Sequence, residues 1–413
     1  MKYTFKKNID EKEFDNFVRN MNSTSFMQTS SWGYVKKNWE HDFVGMYDNT
    51  KLVATALVLK RRLFFNKKLL YIPRGFVIDY DNQKLLKEFV SSLKEYAKQN
   101  NCIDIKIDPY LCFSEDNIQN IKKNKGIKVN TYFLDNTTKI VKLLDELGFK
   151  HGGFKKEVNS YIQPRYTMAI NLKDTDNKMY DKEELRYTFP KNTRNYIGKY
   201  QEERGVTFSY SKDINDVNKL VEVLKMTEKR QHVALRSEEY FVNLMNNFKK
   251  DTVLFFAHVN IDKYIDFLKK DMKDNKSKEE FCKKQINEAL SIKEKYGNNP
   301  LAGATIVMMP TCKKGTKVAS FLYAGTNTEI LPSLKITNGL MFYRLCYCME
   351  NGVDYCDLGG VDGSLEDHLS VFKSKFNPNV LELVGEYDLV ISKFWNSMFN
   401  LAMKVLKYIR SKR

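Results

Sequence analysis

One arrangement of strands and a helix occurs twice in this chain. Residues 52–108 and 301–360 each contain a strand, a turn with paired lysines, a second strand, an amphipathic helix and a short strand that ends at aspartate. The helices cover Lys84–Gln99 in the first copy and Leu334–Glu350 in the second. Two copies so far apart predict two similar α/β domains, because a solenoid would need short repeats that adjoin each other.

The composition is that of a globular protein with a strong positive charge. The 413 residues are enough for two hydrophobic cores, and 42% hydrophobic with 29% charged residues is an ordinary balance. The net charge of +17 favours a polyanionic partner such as a nucleic acid, a phosphorylated substrate or an anionic membrane. A low-GC genome, which enriches lysine and asparagine, is the alternative source of part of this excess.

The sequence lacks the signatures of several classes of site. The seven cysteines are odd in number and form no CxxC pair, and the five histidines are scattered, so neither a disulfide framework nor a metal site is expected. No Walker loop, dinucleotide fingerprint or serine nucleophile elbow is present. The first residues lack the apolar segment of a signal peptide, and no apolar run reaches the ~18 residues of a spanning helix. These features predict a cytoplasmic protein.

Residues 260–297 interrupt the second copy with a helical pattern of their own. Apolar residues recur at helical spacing in two runs, which are Ile261, Ile265, Leu268 and Met272, then Ile286, Ala289, Ile292 and Tyr296. Charged residues fill the other faces, so the segment predicts an antiparallel two-helix hairpin with a narrow apolar seam. A packing or dimerisation element and an arm that contacts a long ligand both remain open.

The C-terminal part is predicted to be a closing strand over residues 380–391 and one amphipathic helix over residues 393–413. The apolar face of the helix is expected to point inward and consists of Trp395, Met398, Phe399, Ala402, Leu406 and Ile409. Docking of this face on the protein is the favoured interpretation. Binding to an anionic bilayer surface is the alternative.

The repeated unit resembles the acetyltransferase fold, in which the turn after the central strand binds the pyrophosphate of CoA. In this chain the turn would be Pro73-Arg74-Gly75 in the first copy and Ala324-Gly325-Thr326 in the second. Neither turn has the closely spaced glycines that cradle a pyrophosphate. The sequence therefore favours an acyl-transfer scaffold and argues against CoA as the donor.

A set of motifs in a particular order extends this resemblance to a family. They are FMQTSSWGYVK near the start, KIDP, MTEKRQHVALRSEEYF, FLYAGTNT, the inserted hairpin, and VFKSKFNP before the closing strand. Over nearly its whole length the chain resembles the Fem family of non-ribosomal peptidyl transferases. These enzymes add amino acids from aminoacyl-tRNA to peptidoglycan precursors.

The resemblance implies an α/β fold of two acetyltransferase-like (GNAT-type) domains with an inserted antiparallel helical-hairpin arm. The first domain would cover residues 1–165, and the second residues 166–259 and 298–378. The arm would cover 260–297, and the strand and helix of 379–413 would pack back on the first domain. The family implies no cofactor, because aminoacyl-tRNA is the donor substrate. The acceptor would be lipid II or UDP-MurNAc-pentapeptide.

For the precursor, the resemblance implies a cleft with five contact residues. Lys36 and Arg236 match a lysine and an arginine that contact the precursor diphosphate, and Tyr240 matches a tyrosine four residues after the arginine. Asp108, at the end of KIDP, resembles an aspartate that lines the precursor pocket, and Tyr323 in FLYAG matches a tyrosine of the same cleft. Two permanent cations suit a diphosphate, and arginine adds its fork geometry.

For the chemical step, the resemblance implies roles for Phe372, Lys373 and Asp108. Phe372 and Lys373 match an aromatic–lysine pair placed near the aminoacyl ester. Attack of an amine on an ester needs an uncharged nucleophile and a stabilised oxyanion. Asp108 is the candidate to orient or deprotonate the acceptor ammonium, and Lys373 either stabilises the oxyanion or holds the tRNA terminus. Ala234 departs from a small hydroxyl residue of some relatives, which leaves one precursor hydrogen bond open.

The sequence therefore predicts transfer of an amino acid from aminoacyl-tRNA to the stem-peptide amine of a peptidoglycan precursor, which builds the interpeptide bridge. Two alternatives are a CoA-dependent N-acyltransferase and a non-enzymatic protein that binds RNA or a membrane. Peripheral contact with the cytoplasmic face of the membrane is compatible with the prediction. The amino acid transferred, the acceptor position and the oligomeric state are left open.

Overall fold

A computed structural model describes residues 3–22, 24–127, 131–158, 162–231 and 234–411 of the chain. These residues form two eight-stranded sheets. The strands of the described residues are β1 (Tyr3–Lys7), β2 (Glu40–Asp48), β3 (Lys51–Arg62), β4 (Lys68–Ile72), β5 (Val77–Ile78), β6 (Cys102–Ile107), β7 (Cys112–Asn117), β8 (Lys150–His151), β9 (Tyr166–Asn171), β10 (Val206–Ser211), β11 (Thr252–Val259), β12 (Leu301–Met308), β13 (Val318–Thr326), β14 (Tyr355–Val361), β15 (Asn379–Leu383) and β16 (Tyr387–Val390).

Helices cover the faces of both sheets. Those of the described residues are α1 (Glu11–Asn20), α2 (Ser30–Val35), α3 (Gln83–Gln99), α4 (Ile118–Asn124), α5 (Thr131–Glu146), α6 (Lys182–Tyr187), α7 (Lys191–Arg194), α8 (Lys199–Glu203), α9 (Val217–Gln231), α10 (Glu238–Phe248), α11 (Ile261–Asp274), α12 (Glu279–Tyr296), α13 (Ile336–Glu350), α14 (His368–Ser374) and α15 (Lys393–Ser411). No helix in the described ranges is long and apolar enough to cross a membrane.

The two sequence copies have the same topology. In the first sheet, β3 pairs antiparallel with β4, α3 crosses over, and β4 pairs parallel with β6. In the second sheet, β12 pairs antiparallel with β13, α13 crosses over, and β13 pairs parallel with β14. A crossover helix is what a parallel pair requires, so the strand–strand–helix–strand order in the sequence predicted both units correctly. The α/β class and the two-sheet architecture are confirmed.

The two crossover helices differ in how much of their surface they bury. α3 is amphipathic and is capped at its N-terminus by Asn82, whose side chain accepts a hydrogen bond from the backbone of Leu85 at 3.0 Å. α13 is buried on nearly every side, and even Arg344 in its interior is only 5% exposed. The second unit therefore lies deeper in the molecule than the first.

Strands cross the domain boundaries predicted at residues 165 and 379. β7 belongs to the predicted first domain, residues 1–165, yet it pairs with β15 at the edge of the second sheet. The single closing strand predicted over residues 380–391 is wrong, because Gly385, at φ +91°, separates two strands there. β15 joins the second sheet beside β9, and β16 joins the first sheet between β6 and β8. The division into residues 1–165, residues 166–259 with 298–378, the arm of 260–297, and residues 379–413 remains a prediction.

A hydrophobic core joins the two halves of the molecule. It combines α1, α2, β2 and β3 with α9, α10, β11 and β12. The rings of Phe26 and Phe248 approach to 6.0 Å, and the Asn243 amide donates to the backbone carbonyl of Val35 at 3.2 Å. This packing sets α2 directly against α10, although their sequences lie about 200 residues apart.

An antiparallel hairpin of α11 and α12 occupies the inserted segment. Lys293 pairs with Asp262 at 2.6 Å near the base, and Lys278 pairs with Asp271 at 3.0 Å near the turn. The hairpin lies against the segment that precedes α13, since Ser333 donates to the Gln285 side chain at 2.7 Å. Packing is thus one role of the hairpin, and it reaches toward the turn, since Cys282 is buried as well.

Candidate active site

Lys36 and Arg236 come together because the two helices beside them pack on each other. Lys36 caps the C-terminus of α2 and does not lie inside a helix, and Arg236 stands two residues before α10. Both residues line a cavity of about 440 Å³ between the two halves of the molecule, together with Tyr240. The cavity therefore brings together three of the residues that the sequence analysis assigned to precursor binding.

The charge of this cavity is positive and poorly compensated. The Lys36 amine lies 4.4 Å from the centre of the Trp32 ring. Burial, and secondly the charge of Arg236, lower the pKa of Lys36 to about 8. Among the described residues no carboxylate lies within 4.0 Å of either cation, whereas Lys37 at the rim pairs with Glu239 at 3.1 Å. An anion in this cavity would relieve the repulsion between the two cations.

Two tyrosines connect the cationic cavity to the interior. The Tyr240 and Tyr323 rings lie 6.2 Å apart, and the Arg236 guanidinium lies 5.3 Å from the Tyr240 ring. A side-chain hydrogen bond to Tyr323 raises the pKa of Arg236. Tyr323, on β13, also lines two further cavities of about 410 and 340 Å³. Tyr323 therefore lines both inner cavities and contacts Tyr240 and Arg236, which line the cationic cavity.

Lys373 lies on α14 with its amine almost fully withdrawn from solvent. The side chain is 5% exposed, and its amine donates to the carbonyl oxygens of Gly359 at 2.9 Å and Gly360 at 3.0 Å. Burial lowers the pKa of Lys373 to about 8, against the opposing influence of Asp357 and Asp367. The amine is thus held at a defined point by two backbone carbonyls at the end of β14.

Lys373 stands at the wall between the two inner cavities. Lys373 and Phe372 line the cavity of about 410 Å³, and the carbonyl-bearing Gly359 and Gly360 line the cavity of about 340 Å³. Tyr323 lines both. The aromatic–lysine pair and the tyrosine therefore belong to one continuous site, which spans the second sheet from one cavity to the other.

Asp108 lies beneath this site and lines none of the three cavities described above. The carboxyl is 1% exposed and accepts a hydrogen bond from the backbone N–H of Arg74 at 2.8 Å. Its other oxygen lies 3.7 Å from the Arg74 guanidinium. Burial raises the pKa of Asp108 to about 6, and Arg74 opposes this increase. The residue that reaches the cavity of about 340 Å³ is Arg74, beside Tyr110.

Two arginines of the site were not identified from the sequence. Arg344 lines the cavity of about 410 Å³ from inside α13, and it donates to the Thr305 hydroxyl at 2.9 Å. Burial lowers the pKa of Arg344 to about 10. An arginine within the apolar run LMFYRLCYCM was the available signal, because arginine is rarely buried without a specific partner. Arg74 was noted only as part of the turn Pro73-Arg74-Gly75, and the structure also has a turn there.

The segment Ala324, Gly325 and Thr326 was predicted as a turn and is instead the end of β13. A Cβ atom at Gly325 would lie 2.9 Å from the backbone carbonyl of Val223 on α9. The glycine therefore serves close packing between a helix and a strand. Among the described residues no group of three or more histidine, cysteine, aspartate or glutamate side chains is arranged to hold a metal ion.

The model of the FemAB family matches residues 9–285 and 272–404. The chain belongs to the FemAB family. It is 26% identical to "Aminoacyltransferase FemA" of Staphylococcus aureus strain MRSA252, over 95% of this chain and 96% of that protein. The FemA of the bovine strain RF122 / ET3-1 is 25% identical, with the same coverage.

Among solved structures, the FemAB-family chain is similar to the crystal structure of FemX. The two superpose with a TM-score of 0.74 over 96% of this chain and 99% of FemX, at 22% identity. At that identity the likeness shows a common fold. The family membership and the fold that the motifs predicted are confirmed.

Proposed function

We propose that this chain transfers an amino acid from aminoacyl-tRNA to an amine of a peptidoglycan precursor, in the synthesis of the interpeptide bridge. The main observation in support of this proposal is that the cationic cavity and the buried lysine are connected. An uncompensated pair of cations, Lys36 and Arg236, is joined through Tyr323 to a buried ammonium group, Lys373. The names of the FemA relatives agree with aminoacyl transfer.

The cavity with Lys36 and Arg236 is the proposed site of the precursor diphosphate. Both lipid II and UDP-MurNAc-pentapeptide carry a diphosphate, so this cavity suits either acceptor. Arginine can offer two parallel N–H groups to a phosphate, and lysine adds a point charge. Tyr240 and Tyr323 would then direct the rest of the precursor toward the inner cavities.

Lys373 is proposed to stabilise the oxyanion that forms when the amine attacks the ester. An ammonium has three N–H donors, and two of them are directed at the carbonyls of Gly359 and Gly360. A pKa of about 8 leaves the group mostly protonated at neutral pH, which suits a donor of hydrogen bonds rather than a base. The third donor is available to an oxygen in the cavity of about 410 Å³ that Lys373 lines.

In the proposed step, the acceptor amine forms a C–N bond with the ester carbonyl carbon. The C–O bond to the tRNA ribose breaks, and the proton lost by the amine ends on the released ribose hydroxyl. The burial of Asp108 beneath Arg74 supports a positioning role for this carboxylate. Arg74, which it holds in place, is the group that would contact the substrate.

A transfer assay tests the function and the role of Lys373 together. Individually charged tRNAs are offered with lipid-linked and with UDP-linked precursor, and the labelled product is measured. We expect Lys373→Met to lower kcat by about 100-fold, in the range found for loss of one oxyanion donor. Lys375→Met is the matched control, since Lys375 is exposed two residues away and should keep kcat within about threefold.

The absence of transfer from any charged tRNA to either precursor would overturn the proposed function. If transfer occurs and Lys373→Met is as active as Lys375→Met, the function stands and the role of Lys373 is wrong. The acceptor that supports the higher kcat/KM identifies the physiological form of the precursor.

A further inference from the structure

The C-terminal helix α15 has a second apolar face that nothing in the described structure covers. Trp395, Phe399 and Ala402 lie against the first domain, in contact with the loop that follows β3. The adjacent face of the same helix carries an exposed apolar stripe. Its residues follow each other at spacings of four, three, four and four, and they are Phe394, Met398, Leu401, Val405 and Ile409. Each stripe residue is between 46% and 67% exposed.

This arrangement differs from the single inward face predicted from the sequence. Met398 and Ile409, which were expected to be buried, are 48% and 46% exposed, and the side chain of Leu406 lies outside the described residues. Only a narrow face of the helix docks on the first domain. An apolar stripe that runs along a whole surface helix is unusual for a protein with no partner there.

The loop after β3 extends the apolar surface beyond the helix. Phe64 is 65% exposed and Phe65 is 77% exposed. The Phe65 ring lies 5.5 Å from the Trp395 ring, so the loop and the helix are neighbours. Two separate elements thus present large apolar side chains to solvent on one side of the first domain.

The charges around this surface are positive. Residues 393–413 contain six basic residues and no acidic residue. In the described structure, Lys393 and Lys404 form no ion pair, and Lys67 lies 5.1 Å from the Trp395 ring, also without a carboxylate partner. On a helical projection Lys393 and Lys404 lie together beside one edge of the stripe, where their ammonium groups can reach outward past the apolar residues.

We propose that α15 and the Phe64–Phe65 loop dock on the surface of an anionic lipid bilayer. The helix would lie in the plane of the interface with its stripe among the acyl chains and its lysines at the headgroups. No described helix can span a bilayer, so the contact would be peripheral. A second copy of this chain fits less well, because a symmetric dimer would set two basic surfaces with no acidic residue against each other.

Co-sedimentation of the full-length protein with sucrose-loaded vesicles tests this docking independently of the transfer reaction. Vesicles of phosphatidylglycerol and phosphatidylcholine in equal parts are compared with vesicles of phosphatidylcholine alone. We expect binding to the anionic vesicles, weaker binding at high salt, and little binding to the neutral ones.

Two double variants with the same charge change separate insertion from simple adsorption. L401D/V405D places two carboxylates on the stripe, and S397D/N400D places two on the polar face of the same helix. We expect the first to lower the vesicle partition coefficient by at least about tenfold and the second by no more than about threefold. Phe64→Glu, on the separate loop, should also weaken binding, and its effect does not depend on the integrity of the helix.

Several outcomes would overturn the proposal. An equal loss in both double variants would mean that the basic chain is only adsorbed electrostatically. No sedimentation of the unchanged protein with anionic vesicles would exclude the docking. A dimer in sedimentation velocity that L401D/V405D converts to a monomer would assign the stripe to a second copy of the chain.

Discussion

Two lysines of the site share an environment that an exposed lysine does not have. Burial lowers the pKa of both Lys36 and Lys373 to about 8. Each is protonated at neutral pH and loses its charge in mildly alkaline solution, well below the pH at which an ordinary lysine titrates. Any function that depends on either charge should therefore decline as the pH rises above about 8.

This titration gives a prediction for diphosphate binding. With uridine diphosphate as the probe and calorimetry as the measurement, we expect the affinity of the unchanged protein to be constant up to about pH 8 and then to fall. The reason is that Lys36 must take up a proton before it binds the anion. Lys36→Arg should keep its affinity over the same range, because a guanidinium does not titrate there.

Two further variants complete the measurement. Lys36→Ala should lose at least about tenfold in affinity at neutral pH and show no decline above pH 8, since a charge-assisted hydrogen bond contributes about 1.5–3 kcal/mol. Lys37→Ala, at the exposed rim, should behave as the unchanged protein does. A decline above pH 8 in Lys36→Arg that matches the unchanged protein would assign the titration to another group.

At the scale of secondary-structure elements, the position of Lys373 depends on how β14 ends. Gly359 lies in β14 with φ at +83°, a conformation that residues with a Cβ atom rarely adopt. This backbone shape directs the carbonyls of Gly359 and Gly360 at the amine of Lys373 on α14. The helix supplies the lysine, and the strand end holds it in place.

Gly359→Ala should therefore reduce both stability and activity. We expect a loss of about 1 kcal/mol in the free energy of unfolding from the positive φ, together with a lower kcat. A Cβ atom there would lie 3.3 Å from the Phe321 carbonyl and 3.8 Å from the Lys373 amine. Gly352→Ala is the matched control, because φ is +69° there and the nearest atom, on Lys317, is 4.0 Å away.

Urea unfolding and the transfer assay check this pair of variants. Both should lose similar stability, and only Gly359→Ala should lose activity. Equal kcat values in the two variants would show that the end of β14 does not position Lys373 for the reaction.

The elements also show which local patterns can be interpreted from the sequence. The spacing of apolar residues predicted α11 and α12, because a helix repeats every 3.6 residues regardless of what covers it. The same pattern in α15 did not reveal which of its two apolar faces would dock. Periodicity identifies an apolar face, and only the position of neighbouring elements decides whether that face is buried.

The whole molecule combines two related sheets, a shared core and a high positive charge. The core that joins α2 to α10 holds the two halves together at the site. The charges of both halves, +17 in total, are therefore held in one molecule and would together attract a long polyanion. Lysine enrichment by genome composition, in contrast, predicts no particular affinity for RNA.

Salt dependence of tRNA binding separates these explanations. We expect the affinity of the full-length protein for uncharged tRNA to fall by at least about tenfold between about 50 mM and about 200 mM salt, because each phosphate contact releases counterions. Binding measured by fluorescence anisotropy gives the slope. Uridine diphosphate, which carries few charges, is the control and should weaken far less. A change in tRNA affinity of less than about twofold would contradict the prediction.

Taken alone, the sequence determined the α/β class, the duplicated unit, the inserted hairpin and the family, since these depend on local periodicity, turn chemistry and the order of motifs. It also named seven candidate site residues. The tertiary structure alone decided how they are arranged. It set Lys36 beside Arg236 through the packing of α2 on α10, and it placed Asp108 under Arg74 instead of in a cavity.

The routes of β15 and β16 into different sheets, and the uncovered stripe of α15, were likewise decided only in three dimensions. The physical reason is the same in each case. A sequence pattern specifies which side of an element is apolar or charged, but the partner of that side comes from a distant segment, 34 residues away for Arg74 and Asp108 and 208 residues away for Val35 and Asn243. The burial of a side chain, its neighbours and, where it titrates, its pKa depend on contacts that no local pattern contains.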